Sequence, residues 1–153
     1  MSYESWTRGE YEISTDPARL DMDVTHRFLN QEAYWSQGIP RDVLERGAGN
    51  SMLFGAYKGT EQAGFVRVVS DRATFAWICD VFVLPEHRGN GLGKWLMECV
   101  MAHPELQGLR RWLLATRDAH GLYEQYGFTE LHDPTKYMER WDPEIYKRGA
   151  ANG

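Results

Sequence analysis

Apolar and polar residues change rhythm several times along the chain, and each change predicts an element. Residues 6 to 14, WTRGEYEIS, alternate weakly and predict a first strand, ended by Thr15-Asp16-Pro17. Asp21 or Asp23 is a candidate cap for a helix running to about Gln31, with Val24, Phe28 and Leu29 on one face. Gly38-Ile39-Pro40 breaks that helix, and Pro40 suits the first position of a second one reaching about Arg46. From Ser51 the period changes to two. SMLFGAY and QAGFVRVV predict strands joined by a tight turn at Lys58-Gly59-Thr60-Glu61. Ser70-Asp71-Arg72 turns into TFAWICDVFVL, an apolar run that reads as a central strand buried on both faces and interrupted by Asp80 alone. Pro85 ends it. Leu92, Trp95, Leu96, Cys99 and Val100 then recur at helical spacing up to His103-Pro104. RRWLLAT predicts a strand, Ala119 to Tyr126 a short helix closed by Gly127, and Phe128 onward two more strands, the last over Lys136 to Trp141. The order β, α, α, β, β, β, α, β, α, β, β describes a mixed α/β fold around one sheet, with three antiparallel strands followed by helical crossovers.

Composition narrows the class. A chain of 153 residues with 42% hydrophobic and 25% charged residues is one ordinary domain able to bury its own core. No apolar run is long enough for a membrane span, and the polar start MSYESWTRGEYE has no signal-peptide core, so a cytoplasmic protein is expected, with no membrane partner. The net charge of −5 and the absence of a basic stripe argue against a nucleic-acid partner. The same acidic balance mildly favours a cationic substrate. Cys79 and Cys99 lie in apolar stretches and read as buried, reduced thiols. Neither Cys-x-x-Cys nor His-x-x-x-His spacing occurs, so no metal site is expected.

The chemistry concentrates after the central strand. In DVFVLPEHRGNGLGKWLM a buried strand runs into Arg88-Gly89-Asn90-Gly91-Leu92-Gly93-Lys94, and a helix starts inside that segment. Helix-leading N–H groups, glycines that admit close approach and two flanking cations together suit a phosphate or pyrophosphate. A Walker loop is excluded, because Arg88 stands where its first glycine belongs and Trp95 where Ser or Thr belongs. A dinucleotide loop started at Gly89 fails at Lys94. What remains is Arg-x-x-Gly-x-Gly, formed by Arg88, Gly91 and Gly93, after a strand ending in Val-x-Pro. This resembles the acyl-CoA-binding motif of the GNAT N-acetyltransferase superfamily. A second segment, Gly121-Leu122-Tyr123-Glu124-Gln125-Tyr126-Gly127-Phe128, resembles the later motif of that family, in the same order along the chain. The likeness covers residues 50 to 141 well. The first 49 match only as a strand followed by helices, the region that shapes the acceptor pocket in relatives.

The resemblance implies a mostly antiparallel central sheet flanked by helices, residues 1–153 as a single acyl-CoA-dependent N-acetyltransferase domain, and acetyl-CoA as cosubstrate. It implies that Val81, Phe82 and Val83 bond the pantetheine arm through the backbone, with one N–H, assigned to Phe82, polarising the thioester carbonyl. Arg88, Gly89, Asn90, Gly91, Leu92, Gly93 and Lys94 would surround the pyrophosphate. Tyr123, four residues before Gly127, falls at the position of the family's general acid, and Tyr126 reads as core. Thr116 replaces an asparagine common in relatives, and its hydroxyl is a candidate pantetheine contact. Asp80 is a candidate for holding or activating the acceptor amine; the alternative is a carboxylate satisfied by backbone N–H groups or by Arg67 on the neighbouring strand. Relatives with polyamine acceptors carry an acidic pair here, whereas Cys79 precedes Asp80. Tyr34, Trp35 and Trp77 are candidate substrate residues for an aromatic or methylene-rich amine, against a reading as simple packing. His87 is a candidate phosphate contact or a surface residue.

These readings converge on transfer from acetyl-CoA to a primary amine, of a small-molecule or amino-acid-like acceptor. A protein or peptide amine is the second acceptor class. A non-catalytic CoA-binding sensor is the competing function, opposed by an intact Tyr123. Relatives commonly form homodimers, but no segment here marks an interface.

Overall fold

The computed structural model describes residues 2–152, with side chains to Arg148. The first strand predicted from the sequence is a hairpin, β1 (Ser5–Arg8) and β2 (Tyr11–Ser14), because Gly9 at φ 59° permits a two-residue turn inside it. Helix α1 (Met22–Gln31) starts where Asp21 accepts a hydrogen bond from the Val24 N–H, and it buries Thr25, Phe28 and Leu29. Helix α2 (Arg41–Gly49) follows Pro40, which stands at the cap rather than inside the helix. Strands β3 (Met52–Lys58), β4 (Glu61–Ser70) and β5 (Phe75–Val83) form an antiparallel meander. Helix α3 (Leu92–Ala102) crosses over to β6 (Arg111–Leu114), which runs parallel to β5. Among the described residues, six strands form one sheet in the order in which they occur in the sequence.

Helices α4 (His120–Glu124) and α5 (Ile145–Asn152) complete the chain, and α5 has no counterpart in the sequence pattern. The two strands expected after Phe128 do not form. Asp133 instead accepts hydrogen bonds from the Thr135 backbone and hydroxyl, nucleating a short 3-10 turn at Pro134–Lys136 that breaks the alternation. Among the described residues, no helix is long and apolar enough to cross a membrane.

Each face of the sheet carries its own core. Val66, Val68, Ala76 and Ile78 pack with Trp95, Leu96, Cys99 and Val100 of α3. Leu53, Phe65 and Phe82 pack with Phe28, Leu29, Leu44 and Ala48 of α1 and α2. The central strand is therefore buried on both faces over only part of its length, since Phe75 and Trp77 are exposed.

One irregularity positions the site. Between β4 and β5, Phe65 pairs with Phe82 and Arg67 with Cys79, so Asp80 and Val81 together oppose Val66. This is a two-against-one bulge, and Asp80 takes φ 54° within it. The extra residue shifts the alternation: Ala76 and Ile78 face α3 before it, and Val81 and Val83 face α3 after it. Pairing of β5 with β6 stops at Ile78 and Leu114, while β5 runs on to Val83. The two parallel strands thus part beside the bulge, leaving an opening between β5 and the edge strand β6.

Candidate active site

Leu84 donates its backbone N–H to Ala63 O at 2.8 Å, so this backbone unit faces β4. Alternation gives Phe82 the same direction and turns the backbone groups of Val81 and Val83 toward the opening. The amides free to meet a ligand there are therefore those of Val81 and Val83, not that of Phe82 as the sequence suggested. Arg88 Nε donates to Val83 O at 3.0 Å, which ties the following loop to the end of the strand.

That loop is a cradle. Gly89 at φ 85° and Gly91 at φ 73° take left-handed conformations, and Gly91 caps α3 without any side-chain acceptor for its leading amides. A Cβ placed on Gly89, Gly91 or Gly93 would meet nothing within 4 Å, so the loop's outer side is open. Arg88 and Lys94 are exposed beside it. The inner side is strapped to the first hairpin. Tyr11 Oη lies 3.0 Å from His87 Nδ1, and Asn90 Nδ2 donates to His87 O at 3.1 Å. His87 is thus a buried anchor held through Nδ1 rather than a surface residue, and the Asn90 side chain serves the loop's own conformation. The open glycines, unclaimed helix amides and flanking cations fit a pyrophosphate held by backbone N–H groups.

Across the opening, α4 carries Tyr123. Its ring is buried and meets Phe128 edge-on at 6.1 Å. Burial, with a smaller contribution from the phenol of Tyr34, holds its hydroxyl above the ordinary pKa of 10.0, so it is a proton donor at neutral pH. Thr116 Oγ1 accepts the Ala119 N–H at 3.0 Å and so helps turn the chain into α4. Tyr126 packs at the edge of the core and donates its hydroxyl to Lys94 O at 3.0 Å, joining the turn after α4 to α3. A cleft of about 950 Å³ along the outer side of β6 reaches Thr116, His120 and Tyr123 but includes neither the cradle nor Asp80.

Asp80 is fully engaged. Arg67 Nε donates to Oδ2 at 2.6 Å and Trp35 Nε1 to Oδ1 at 2.9 Å. Arg67 also donates from Nη1 to Ser51 Oγ at 3.1 Å, and Asp80 holds the Arg67 guanidinium protonated against the cost of its burial. The structure therefore carries the ion-pair alternative for Asp80: the carboxylate fixes the bulge and the loop after α1, and neither of its oxygens is left without a partner. Tyr34, beside Trp35, accepts the Arg117 backbone N–H at 3.0 Å, so Tyr34-Trp35 spans from the bulge to the loop before α4. Tyr11, Ser51 and Arg117 escaped the sequence reading, because each reaches the site only through distant pairing.

Cys79 is pushed up to about 11 and Cys99 to about 12, in both cases by burial. Both are thiols at neutral pH, which removes the condition for an acyl-cysteine route.

A family model described as acetyltransferase (GNAT) domain matches residues 49–130. The chain belongs to the GNAT acetyltransferase family. A Gibberella zeae protein named as an acetyltransferase, FG08082, is 37% identical over 142 residues, covering 78% of this chain and 79% of that protein. A crystal structure from Xanthomonas campestris pv. campestris, described as a GNAT-family acetyltransferase, superposes with a TM-score of 0.89 at 50% identity, over 92% of this chain and 99% of the other. A structure from Deinococcus radiodurans named as an acetyltransferase shares the fold at a TM-score of 0.69 and 22% identity, over 90% of this chain and 94% of the other. This GNAT domain is therefore an acetyltransferase by family, and its mixed sheet is the fold of its relatives.

Proposed function

We propose that this GNAT acetyltransferase moves the acetyl group of acetyl-CoA directly to the primary amine of a small-molecule or amino-acid-like acceptor. The observation that carries the reading is the opening between β5 and β6, with the glycine cradle on one side and Tyr123 on the other. Acetyl-CoA fits it with its pyrophosphate on the amides of Gly89 to Lys94, and its pantetheine arm along the amides of Val81 and Val83. The amine nitrogen attacks the thioester carbon, the carbon–sulfur bond breaks, and the nitrogen releases a proton to water. A backbone N–H of the bulge polarises the carbonyl oxygen as it gains charge. Tyr123 donates its phenolic proton to the departing sulfur. An ordinary phenol is a weaker acid than a thiol, so the donation is uphill, and it works only while the phenol stays protonated. Asp80 takes the role of a positioning residue, with its contacts to Arg67 and Trp35 holding the bulge in register.

A thiol-release assay with acetyl-CoA and a panel of amines tests the reading. Acceptor-dependent release of CoA is expected. Tyr123→Phe is expected to lower kcat by about a hundredfold or more while leaving acetyl-CoA affinity unchanged, the signature of a group used only in the transition state. Full kcat in that variant between pH 6 and 9 would remove Tyr123 as the acid. Acetyl-CoA binding with no release across a wide panel would favour a CoA-binding sensor.

A further inference from the structure

The acceptor's side of the opening has a wall whose chemistry is specific. On β5, Phe75, Trp77 and Cys79 alternate onto one face, and Arg67 lies directly opposite Cys79. Opposed residues of an antiparallel pair point to the same side, so Arg67, Asp80 and the Trp35 indole bonded to it share the face of Phe75 and Trp77. Four large aromatics here stay partly open to solvent: Tyr34 at 42%, Trp35 at 43%, Phe75 at 41% and Trp77 at 39%. Tyr34 and Trp35 meet at 88° with centroids 5.1 Å apart, forming a right-angled corner.

The charges on this wall are spent. Both Asp80 oxygens are occupied, by Arg67 and by Trp35. Arg67 is shared with Ser51. The Arg117 guanidinium lies 3.8 Å from the centroid of the Tyr34 ring and 3.8 Å from Asp118. A polyamine or aminoglycoside needs unpaired carboxylates for its second and third ammonium groups. This wall offers a neutralised ion pair and an arginine instead, beside flat apolar rings.

From this we infer that the acceptor is a monoamine carrying an aromatic ring, with the ring laid against Trp77 and the Tyr34-Trp35 corner and the amino group directed past Cys79 to the bulge. Trp77 and Cys79 are two residues apart on one strand, roughly 7 Å, which suits an amine joined to its ring by two or three carbons. Aromatic side chains take such a ring edge-on or offset, with a preference worth about tenfold in binding over an aliphatic group of like size. Trp77 is then a specificity-determining residue. The inference rests on the transferase reading above and names the acceptor that reading leaves open.

The test compares phenethylamine, n-butylamine and spermidine as acceptors with acetyl-CoA, in the native protein and in Trp77→Leu, which keeps apolar bulk and loses the ring. The expected result is a kcat/KM for phenethylamine about tenfold above n-butylamine and above spermidine, with the phenethylamine-to-butylamine ratio falling to near one in Trp77→Leu. Better use of spermidine, no transfer to phenethylamine, or an unchanged ratio in a Trp77→Leu protein of native melting temperature would each overturn the inference. Calorimetric titration with acetyl-CoA separates the two levels. Binding without transfer to phenethylamine overturns the aromatic acceptor alone, whereas no binding overturns the transferase reading beneath it.

Discussion

Tyr57 fits the sheet only because Gly55 lacks a side chain. A Cβ on Gly55 would lie 2.5 Å from Tyr57 Cζ, far inside contact distance. The Tyr57 hydroxyl is buried with no hydrogen-bond partner among the described residues, and burial pushes its pKa up to about 12. Gly55→Ala is expected to cost about 2 kcal/mol or more, as an overpacked site that cannot relax. Tyr57→Phe is expected to leave stability unchanged or raise it by about 1 kcal/mol, because it deletes an unsatisfied polar group. Urea denaturation of both variants checks the pair. Asp80 behaves in the opposite sense, since its partners are in place. Asp80→Asn keeps a residue that tolerates a left-handed backbone but leaves the half-buried Arg67 without its counter-charge, and a loss of about 3 kcal/mol is expected. The same denaturation measurement reads it, and a stability change below about 0.5 kcal/mol would show that the pair does not hold the bulge.

At the scale of elements, the entry to α3 does two jobs with one residue. Gly91 supplies the left-handed cap and leaves the space in front of the helix amides empty. Gly91→Asn should fold with only a small drop in melting temperature, because asparagine tolerates this conformation, while Gly91→Ala should lose about 1 kcal/mol. Both place a Cβ in the cradle, so both should weaken acetyl-CoA affinity by about tenfold or more on the proposed reading, as calorimetry can measure. Equal affinity in both variants and the native protein would move the phosphate site elsewhere. The strap from Tyr11 to His87 and Asn90 explains why the first hairpin belongs to the site although it touches no reacting group: it sets the height of the cradle against the end of β5.

The whole molecule should show a stability window set by buried neutral groups. His103 accepts the Glu105 N–H on Nδ1 and meets Phe54 edge-on, and burial lowers its pKa below the ordinary 6.5. Its folded pKa is depressed, so its contribution is present above 6.5 and is lost as pH falls through the folded value. The thiols act at the other end. Cys79 at about 11 and Cys99 at about 12 sit above the ordinary 9.0, so their contribution is whole below pH 9 and is lost as pH climbs through those values. Denaturation midpoints across pH 5 to 10 should fall at both ends. A flat acid limb would show that His103 is as easily protonated in the folded protein as in the unfolded chain.

Much of this protein was determined by sequence alone, for a local reason. Helices α1, α2 and α3, the meander β3–β5 and the cradle follow from periodicity, caps and glycines, each decided by residues close in the chain. The cradle in particular is read from Arg88 to Lys94 without any distant partner, and the family likeness rests on that segment and on Tyr123. Other features needed the folded sheet. Gly9 splits the first strand because β2 must pair with β3 while β1 lies outside it, a choice of partners that local alternation does not record. The segment after Phe128 alternates like a strand, yet the turn at Asp133 to Lys136 prevails there. Asp80 could be read as an interruption in an apolar run, but whether it bonded an amine or Arg67 depended on a two-against-one register between β4 and β5. The same register turned Val81 and Val83, rather than Phe82, toward the opening. Register and strand pairing join residues far apart in the chain, so only the tertiary structure could decide them.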